Sequence, residues 1–282
     1  MTCRVEINPI PAPRETKRSL RDGRQGLILA VLLLLAQVSA AQQNTPARAA
    51  TEGGRPTAAQ IVDRSESLMR GTSQVGTYQI EIKRPGWERT MRFDFWSKGD
   101  DRTLIRITEP SRERGITFLK REREMWQYIP RVDRTIKIPP SMMLQSWMGT
   151  DFTNDDLVRE SSTADDYDAT LIRTVDVGGE MAYEISLIPH DDAPVAWSRI
   201  VQVIAVDTYV PLEATYYNDR DEVVRIMTFA SLKNFSGRQL PSVMTLTDPS
   251  RPDEQTIMTI ERLVIDEPIA ESQFSIAALR RN

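Results

Sequence analysis

Hydrophobic and polar residues alternate along most of the chain from Thr77 onward. In the first such run, Tyr78, Ile80 and Ile82 stand between polar neighbours, and Pro85-Gly86 follows as a turn. Alternation with a period of two, interrupted by turn residues, is typical of half-buried antiparallel strands joined as hairpins. Similar runs recur as far as Val264, and they predict a mainly β domain of about eleven strands with a few short helices.

Two segments have helical patterns instead. In Thr57–Arg70 the apolar residues recur at helical spacing, with Thr57 as a predicted N-cap and Gly71 as a predicted C-cap. A second short helix is predicted from Thr153, because Asp156 stands three residues later, as in a capping box. We find no internal repeat, so residues 57–282 are predicted to form one domain after a flexible leader, residues 41–56.

The strand pattern is interrupted by Pro139-Pro140 and a Met-rich segment, residues 141–150. Methionine is flexible and polarizable, and it suits surfaces that accept varied apolar partners. The segment is therefore a candidate for a movable lid over an apolar cavity, or for a fixed plug at the mouth of that cavity. The candidate residues are Met142, Met143, Leu144, Trp147, Met148 and Phe152.

The inward-facing positions of the early strands are the other candidate functional feature. They form an ordinary core, or they line an apolar ligand cavity if the sheet curls into an incompletely closed barrel. Both interpretations stay open at this point. The candidate cavity residues are Tyr78, Ile80, Ile82, Met91, Phe93, Phe95, Trp126 and Tyr128.

The N-terminus has the pattern of a secretory signal. A basic region that ends at Arg24 precedes an apolar run at residues 27–36, and Val38-Ser39-Ala40 follows with small residues. This run of about ten residues is shorter than the roughly 20 that a transmembrane helix needs. We expect residues 1–40 to be cleaved as a signal peptide, and we expect a periplasmic, non-lipidated protein. The alternative is an uncleaved N-terminal anchor.

Composition agrees with a secreted protein that depends on its core alone. Cys3 is the only cysteine and lies in the segment predicted to be removed, so no disulfide is expected. The whole chain has a formal charge of -4, and residues 1–40 contain six Lys or Arg against three Asp or Glu. Removing them would leave about -7, which argues against nucleic acid as a partner.

Candidate catalytic chemistry is sparse. His190 is the only histidine and lies in a loop rich in Pro and Asp, and no G-x-S-x-G motif is present. The acidic pairs Asp155-Asp156, Asp165-Asp166 and Asp191-Asp192 do not have the spacing of an EF-hand loop. We therefore expect a protein that is not an enzyme and that has no metal site and no cofactor.

Two motifs are the most specific in the chain: W-x-Y-x-P at Trp126–Pro130 and W-M-G-x-D-F at Trp147–Phe152. The wider set of residues with a familiar pattern is Pro110, Arg114-Gly115, Phe118-Leu119-Lys120, Met125–Pro130, Ser146–Phe152, Asp155–Leu157, Pro211-Leu212, Ile265–Pro268, Phe274 and Leu279. Together they resemble the LolA-like branch of the outer-membrane lipoprotein-sorting family, a branch of uncharacterised periplasmic proteins. The resemblance covers residues 57 to 280.

The resemblance implies a highly curved antiparallel sheet that forms an unclosed barrel, with helices covering the opening. It also implies carriage of acyl chains, either of lipoproteins or of lipids, and association with an exporter of the RND or ABC type. The expected partner is a lipid or a lipid-modified protein, and the expected state is a monomer. Two alternatives are a subunit of such an exporter without its own cargo, and a lipid hydrolase.

Overall fold

The computed structural model describes residues 54–158, 166–191, 193, 195 and 197–281. All of them fall within one compact unit, Arg48–Asn282. The predicted signal peptide and nearly all of the predicted leader lie outside the described residues. None of the helices in the described ranges is long and apolar enough to cross a membrane.

The described residues form one large antiparallel sheet of 13 strands. The prediction of a mainly β fold with an open, curved antiparallel sheet is confirmed. The structure has 13 strands, whereas about eleven were expected. The strands are β1 Ser73–Arg84, β2 Trp87–Lys98, β3 Arg102–Glu109, β4 Thr117–Arg121, β5 Glu124–Ile129, β6 Arg134–Ile138, β7 Tyr167–Val177, β8 Glu180–Pro189, β9 Arg199–Ala205, β10 Pro211–Tyr217, β11 Val223–Phe235, β12 Arg238–Thr247 and β13 Gln255–Ile265.

The strand order explains how the chain builds this sheet. It runs β6-β5-β4-β3-β2-β1-β13-β12-β11-β10-β9-β8-β7, so β1 and the last strand, β13, pair at the centre. The chain meanders outward from β1 to one edge, crosses to the other edge at β7, and meanders back to β13. The end strands β6 and β7 do not pair within the described ranges, so the sheet stays open.

Helix α1, Ala58–Arg70, begins and ends where the sequence predicts. Thr57 accepts a hydrogen bond from the Gln60 backbone amide, and the Gln60 side chain accepts one from the Thr57 amide, which completes a capping box. The helix ends at Gly71, where φ is 62° and a Cβ would lie 2.3 Å from the Ile265 side chain. The helix buries Ile61 and Val62 and contacts β7, β9 and β12.

Helix α2, Asn154–Val158, is the second predicted helix. Its capping arrangement is also present, since the Asp156 backbone amide donates to the Thr153 hydroxyl and the Thr153 amide donates to the Asp156 carboxylate. Leu157 and Val158 are buried. This helix lies in the chain segment that crosses from β6 to β7.

The two faces of the sheet are covered differently. The concave face carries a large core that includes α1, α2 and the Met-rich segment. On the convex face, Phe274 and Leu279 from two C-terminal 3-10 helices, Glu271–Phe274 and Ile276–Arg280, pack on β3, β4 and β5. Both faces of these strands are therefore buried.

Candidate functional site

Three of the predicted cavity residues form an aromatic wall on β1 and β2. The rings of Tyr78 and Phe93 stack with centroids 5.5 Å apart and an interplanar angle of 4°. The Phe95 ring lies 5.3 Å from that of Tyr78. The three side chains are neighbours because Tyr78 pairs with Phe93 across the strands, and Phe95 follows two positions later on the same face.

A first cavity of about 90 Å³ opens against this wall. Side chains of β12 and β13 line it, among them Leu240, Met244 and Ile260. Met69 and Arg70 at the end of α1 line it as well. The lining is mainly apolar, so this cavity suits a hydrocarbon group.

The other predicted cavity residues line neither this cavity nor the second one described below. Ile80, Ile82 and Met91 are on the concave face but are fully buried in the core. Trp126 and Tyr128 are on the opposite, convex face, so their assignment to the cavity wall is corrected. The reason is the strand period: Met125 enters the concave core, and its neighbour Trp126 must therefore point the other way.

A second cavity, of about 180 Å³, lies beside the first. Trp197, Tyr216, Met227 and Phe229 contribute apolar and aromatic side chains to its wall. The sequence prediction missed these four residues, although Met227 and Phe229 stand two positions apart in a strand pattern. That alternation predicts that the two side chains share one face of a strand. It does not predict that this strand, among those in the second half of the chain, contributes to the cavity wall.

The two cavities adjoin. Met69, Arg70, Asp156, Met244 and Met258 line both of them. Three of these five are methionines, whose flexible side chains adapt to an irregular guest at small cost. The pair therefore forms one divided hollow on the concave face, with its partition made mostly of movable side chains.

The Met-rich segment is anchored in the core by some of its side chains. Trp147 is fully buried, with its ring 5.5 Å from both Phe93 and Phe118. Met143 is also buried and Met148 is half-buried. Met142 and Leu144 are 39% and 42% exposed, and Leu144 reaches the second cavity. Phe152, buried beside Thr153, lines the same cavity.

Polar contacts hold this segment to the sheet. The Asp151 carboxylate accepts hydrogen bonds from Arg84 at 2.8 Å and from the Thr256 hydroxyl at 2.5 Å. Within the segment, the Trp147 amide donates to the Phe152 carbonyl at 2.8 Å. The W-M-G-x-D-F motif is thus a tight turn that buries a tryptophan and presents an aspartate to β1 and β13.

A buried ion pair stands next to the second cavity. Arg225 Nη1 donates to the Asp156 carboxylate at 2.8 Å, and the arginine side chain is only 7% exposed. Although burial opposes the charge, the Asp156 carboxylate raises the pKa of Arg225 above its ordinary value. Burial also raises the pKa of Tyr167, which lines the same cavity, so that phenol stays protonated at neutral pH.

The hollow contains neither a histidine nor a cysteine among its lining residues. His190 lies on the loop after β8, with its ring 3.3 Å from the exposed Asp168 carboxylate. Across the described ranges, no group of three or more His, Cys, Asp or Glu side chains is arranged to hold a metal ion.

Three solved structures have the same fold as this chain. A DUF1329 family protein from Desulfovibrio piger is 24% identical with a TM-score of 0.73, covering 79% of this chain and 97% of its own. A putative outer membrane lipoprotein-sorting protein domain from Vibrio parahaemolyticus is 19% identical with a TM-score of 0.71, covering 79% and 98%. A LolA superfamily protein from Nitrosomonas europaea is 21% identical with a TM-score of 0.68, covering 79% and 100%.

Comparison with curated proteins finds no match. The model of a family that is described as uncharacterized protein matches residues 99–281, which is more than half of the chain. The matched region includes both sequence motifs and runs from the β2–β3 turn to the C-terminal 3-10 helices. This match shows that the chain belongs to the family of that model, and the solved structures show that it has the fold of a LolA superfamily protein.

Proposed function

We propose that the protein is a periplasmic carrier that shields the acyl chain of a lipid or of a lipid-modified protein. The observation that carries this proposal is the divided hollow on the concave face, which the protein's own side chains leave partly unfilled. The fold is shared with a LolA superfamily protein and with a putative outer membrane lipoprotein-sorting domain, and the lining of the first cavity is mainly apolar.

The physics of acyl transfer suits this hollow. An acyl chain gains about 0.8 kcal/mol for each CH₂ group removed from water. A carrier needs enough of this free energy to hold the chain, and it must also release the chain to the next component. A preformed trough with methionines at its partition does both without a chemical step, which is why we propose a non-enzymatic role.

The proposed location and partners rest on two further observations. The first 40 residues have the pattern of a cleaved secretory signal, and the similar domain from Vibrio parahaemolyticus is described as a putative outer membrane lipoprotein-sorting protein domain. We propose that this chain acts in the periplasm and that its cargo is a lipid or a lipid-modified protein. An inner-membrane exporter of the RND or ABC type is the proposed source of that cargo.

The test is to fill the first cavity and measure acyl binding. Leu240 is fully buried and lines that cavity, so Leu240→Trp places an indole where the guest's chain is proposed to lie. We expect the wild-type mature protein to bind a fluorescent fatty acid with micromolar or tighter affinity. We expect Leu240→Trp to weaken this binding at least about tenfold, a loss of about 1.4 kcal/mol.

The matched control is Leu232→Trp, because Leu232 is 56% exposed and lies away from the hollow. It adds the same indole and should leave the affinity unchanged. Overpacking a core costs about 1–3 kcal/mol, so circular dichroism must show that Leu240→Trp remains folded at the assay temperature. Absence of binding by the wild-type protein would contradict the carrier and favour a role as an exporter subunit without cargo.

A further inference from the structure

A row of buried polar side chains crosses the concave face where β1 and β3 begin and β2 and β4 end. Gln74 of β1 pairs with Ser97 of β2, and Ser97 pairs with Thr103 of β3, which pairs with Lys120 of β4. Residues directly opposite each other in an antiparallel sheet share a face. All four are between 4% and 9% exposed. Burying polar groups costs free energy, so the row indicates a polar ligand or a specific structural role.

The neighbouring rows on the same face are apolar. Phe95 pairs with Ile105, and Ile105 pairs with Phe118. The next row contains the stacked rings of Tyr78 and Phe93. Gln74, Ser97 and Thr103 line the first cavity together with the aromatic wall. This cavity therefore has a polar row on one side of its aromatic wall, an arrangement that suits an amphipathic guest.

The hydroxyl groups of the row are available to a guest. Ser97 and Thr103 line the cavity, and their hydroxyls take part in no hydrogen bond with any residue that the structure describes. The Gln74 amide nitrogen, by contrast, donates to the Met69 carbonyl at 2.5 Å. A hydroxyl group is both a donor and an acceptor, so the two hydroxyls can donate to an oxygen of the guest.

Arg70 brings a positive charge to the same end of the strands. It is the last residue of α1 and the one basic residue among the described side chains that line the first cavity. Its guanidinium pairs with Asp100, which lies in the turn between β2 and β3, and stands 4.0 Å from Glu66. Lys120 does not line the cavity, but its Nζ donates to the Asp100 carbonyl at 2.8 Å. Two cations therefore meet at this turn.

The partner of Arg70 in the turn is exchangeable. The Asp100 side chain is 74% exposed, whereas that of Arg70 is 18% exposed. An ion pair with so exposed a partner contributes little to stability, because water solvates the carboxylate almost as well. The carboxylate of a guest can therefore replace that of Asp100 at the guanidinium at small cost.

We propose that the first cavity selects a free fatty acid, an inference that rests on the carrier function proposed above. The carboxylate of the guest accepts hydrogen bonds from Ser97 and Thr103 and takes the place of Asp100 at Arg70. Its chain lies along the aromatic wall and extends toward the methionines of the partition. An esterified chain brings no charge to Arg70, and an alkylammonium brings a charge of the same sign.

The test is displacement of a fluorescent fatty acid methyl ester by unlabelled competitors of one chain length. The competitors are the free fatty acid, its methyl ester and the alkylammonium. At neutral pH the free carboxyl group is ionised. The fatty acid should bind at least about tenfold more tightly than the methyl ester, because charge-assisted hydrogen bonds are stronger than neutral ones. The alkylammonium should bind most weakly.

A first variant removes the cation. Arg70→Gln should bring the affinity for the fatty acid down to that for the methyl ester, whose own affinity should stay unchanged. The matched control is Arg64→Gln, because Arg64 is exposed on the same helix and lines neither cavity. This control should keep the full preference for the acid.

A second variant removes the competing carboxylate. Asp100→Asn should tighten the binding of the fatty acid by a factor of about two to five and leave that of the methyl ester unchanged. Asp101→Asn is the control, since Asp101 lies in the same turn but does not line the first cavity. An affinity for the acid that stays the same or falls in Asp100→Asn would contradict the exchange at Arg70.

Failure of this proposal and failure of the carrier function give different results. Equal binding of the acid and the ester by the wild type, or a preference for the acid that survives Arg70→Gln, would overturn the fatty acid site and leave the acyl-chain carrier intact. If the fluorescent methyl ester itself does not bind, the carrier proposal fails as well.

Discussion

At the scale of single residues, Trp147 joins the Met-rich segment to the barrel. Its indole is fully buried between Phe93 of β2 and Phe118 of β4, while Met142 and Leu144 of the same segment remain partly exposed. Aromatic pairs at this separation contribute about 0.5–1.5 kcal/mol beyond the burial of their area. Trp147 therefore anchors the segment, and the methionines around it are the adaptable part.

Trp147→Ala should destabilise the protein by about 3–5 kcal/mol, the usual cost of truncating a buried aromatic side chain and leaving a cavity. Chemical denaturation of both proteins measures the difference in the free energy of unfolding. Trp87→Ala is the matched control, because Trp87 is 51% exposed, and it should cost much less. Equal losses in the two variants would show that Trp147 does not anchor the segment.

Residue roles were only partly predictable from the sequence. The alternation in β1 and β2 placed Tyr78, Phe93 and Phe95 on one face, and that face lines the hollow. The same alternation in β5 could not show which face is concave, because both are buried. The convex cover over Trp126 comes from Phe274 and its neighbours, about 150 positions later in the chain, and no local pattern reports that contact.

At the scale of elements, a clamp joins the end of α1 to the end of β13. The Asp266 carboxylate accepts hydrogen bonds from the Thr72 amide at 2.7 Å and from the Thr72 hydroxyl at 2.9 Å, and it pairs with Arg238 of β12. The Thr72 amide, with the hydroxyl and Arg238, holds the pKa of Asp266 below its ordinary value near 3.8. Three elements thus meet at one carboxylate.

This clamp predicts a pH dependence of stability. Because the folded pKa lies below the unfolded value near 3.8, the contribution of Asp266 is fully present above that pH. It is lost as the pH falls from about 3.8 through the folded pKa. Asp266→Asn should therefore lower the melting temperature at pH 7. The difference in melting temperature between this variant and the wild type should become smaller below pH 4.

The control for this experiment is Asp219→Asn, a change at an exposed position in the turn between β10 and β11. It should leave the melting temperature unchanged at both pH values. Asparagine also tolerates the positive φ of 64° at position 266, so the change is mainly one of charge. A difference in melting temperature between Asp266→Asn and the wild type that stays constant from pH 7 to pH 3 would contradict the role of the carboxylate.

Element types were well predicted where the signal was local. The capping box of Thr57 and the cap at Thr153 fixed the starts of both α-helices, and the period-two runs predicted strands β1 and β2. The 3-10 helices at the C-terminus were not predicted as elements, because such short helices have no sequence period of their own to detect.

At the scale of the whole molecule, the open sheet creates the hollow. β1 pairs with β13 at the centre, and the end strands β6 and β7 are not paired with each other within the described residues but are connected by the segment that crosses from one to the other. That segment and α1 cover the concave face without filling it. Sequence reasoning expected the curved sheet from a family resemblance, but the long-range pairing and the division of the hollow are set in three dimensions.

The central claim is that this hollow carries an acyl chain. Native mass spectrometry of the mature protein, purified from the periplasm without detergent and followed by lipid extraction, tests it most directly. We expect a fraction of the molecules to carry one bound lipid mass, and we expect that mass to be lost in Leu240→Trp but not in Leu232→Trp. A single mass equal to that of the bare polypeptide, unchanged after the wild-type protein is incubated with lipid, would contradict it.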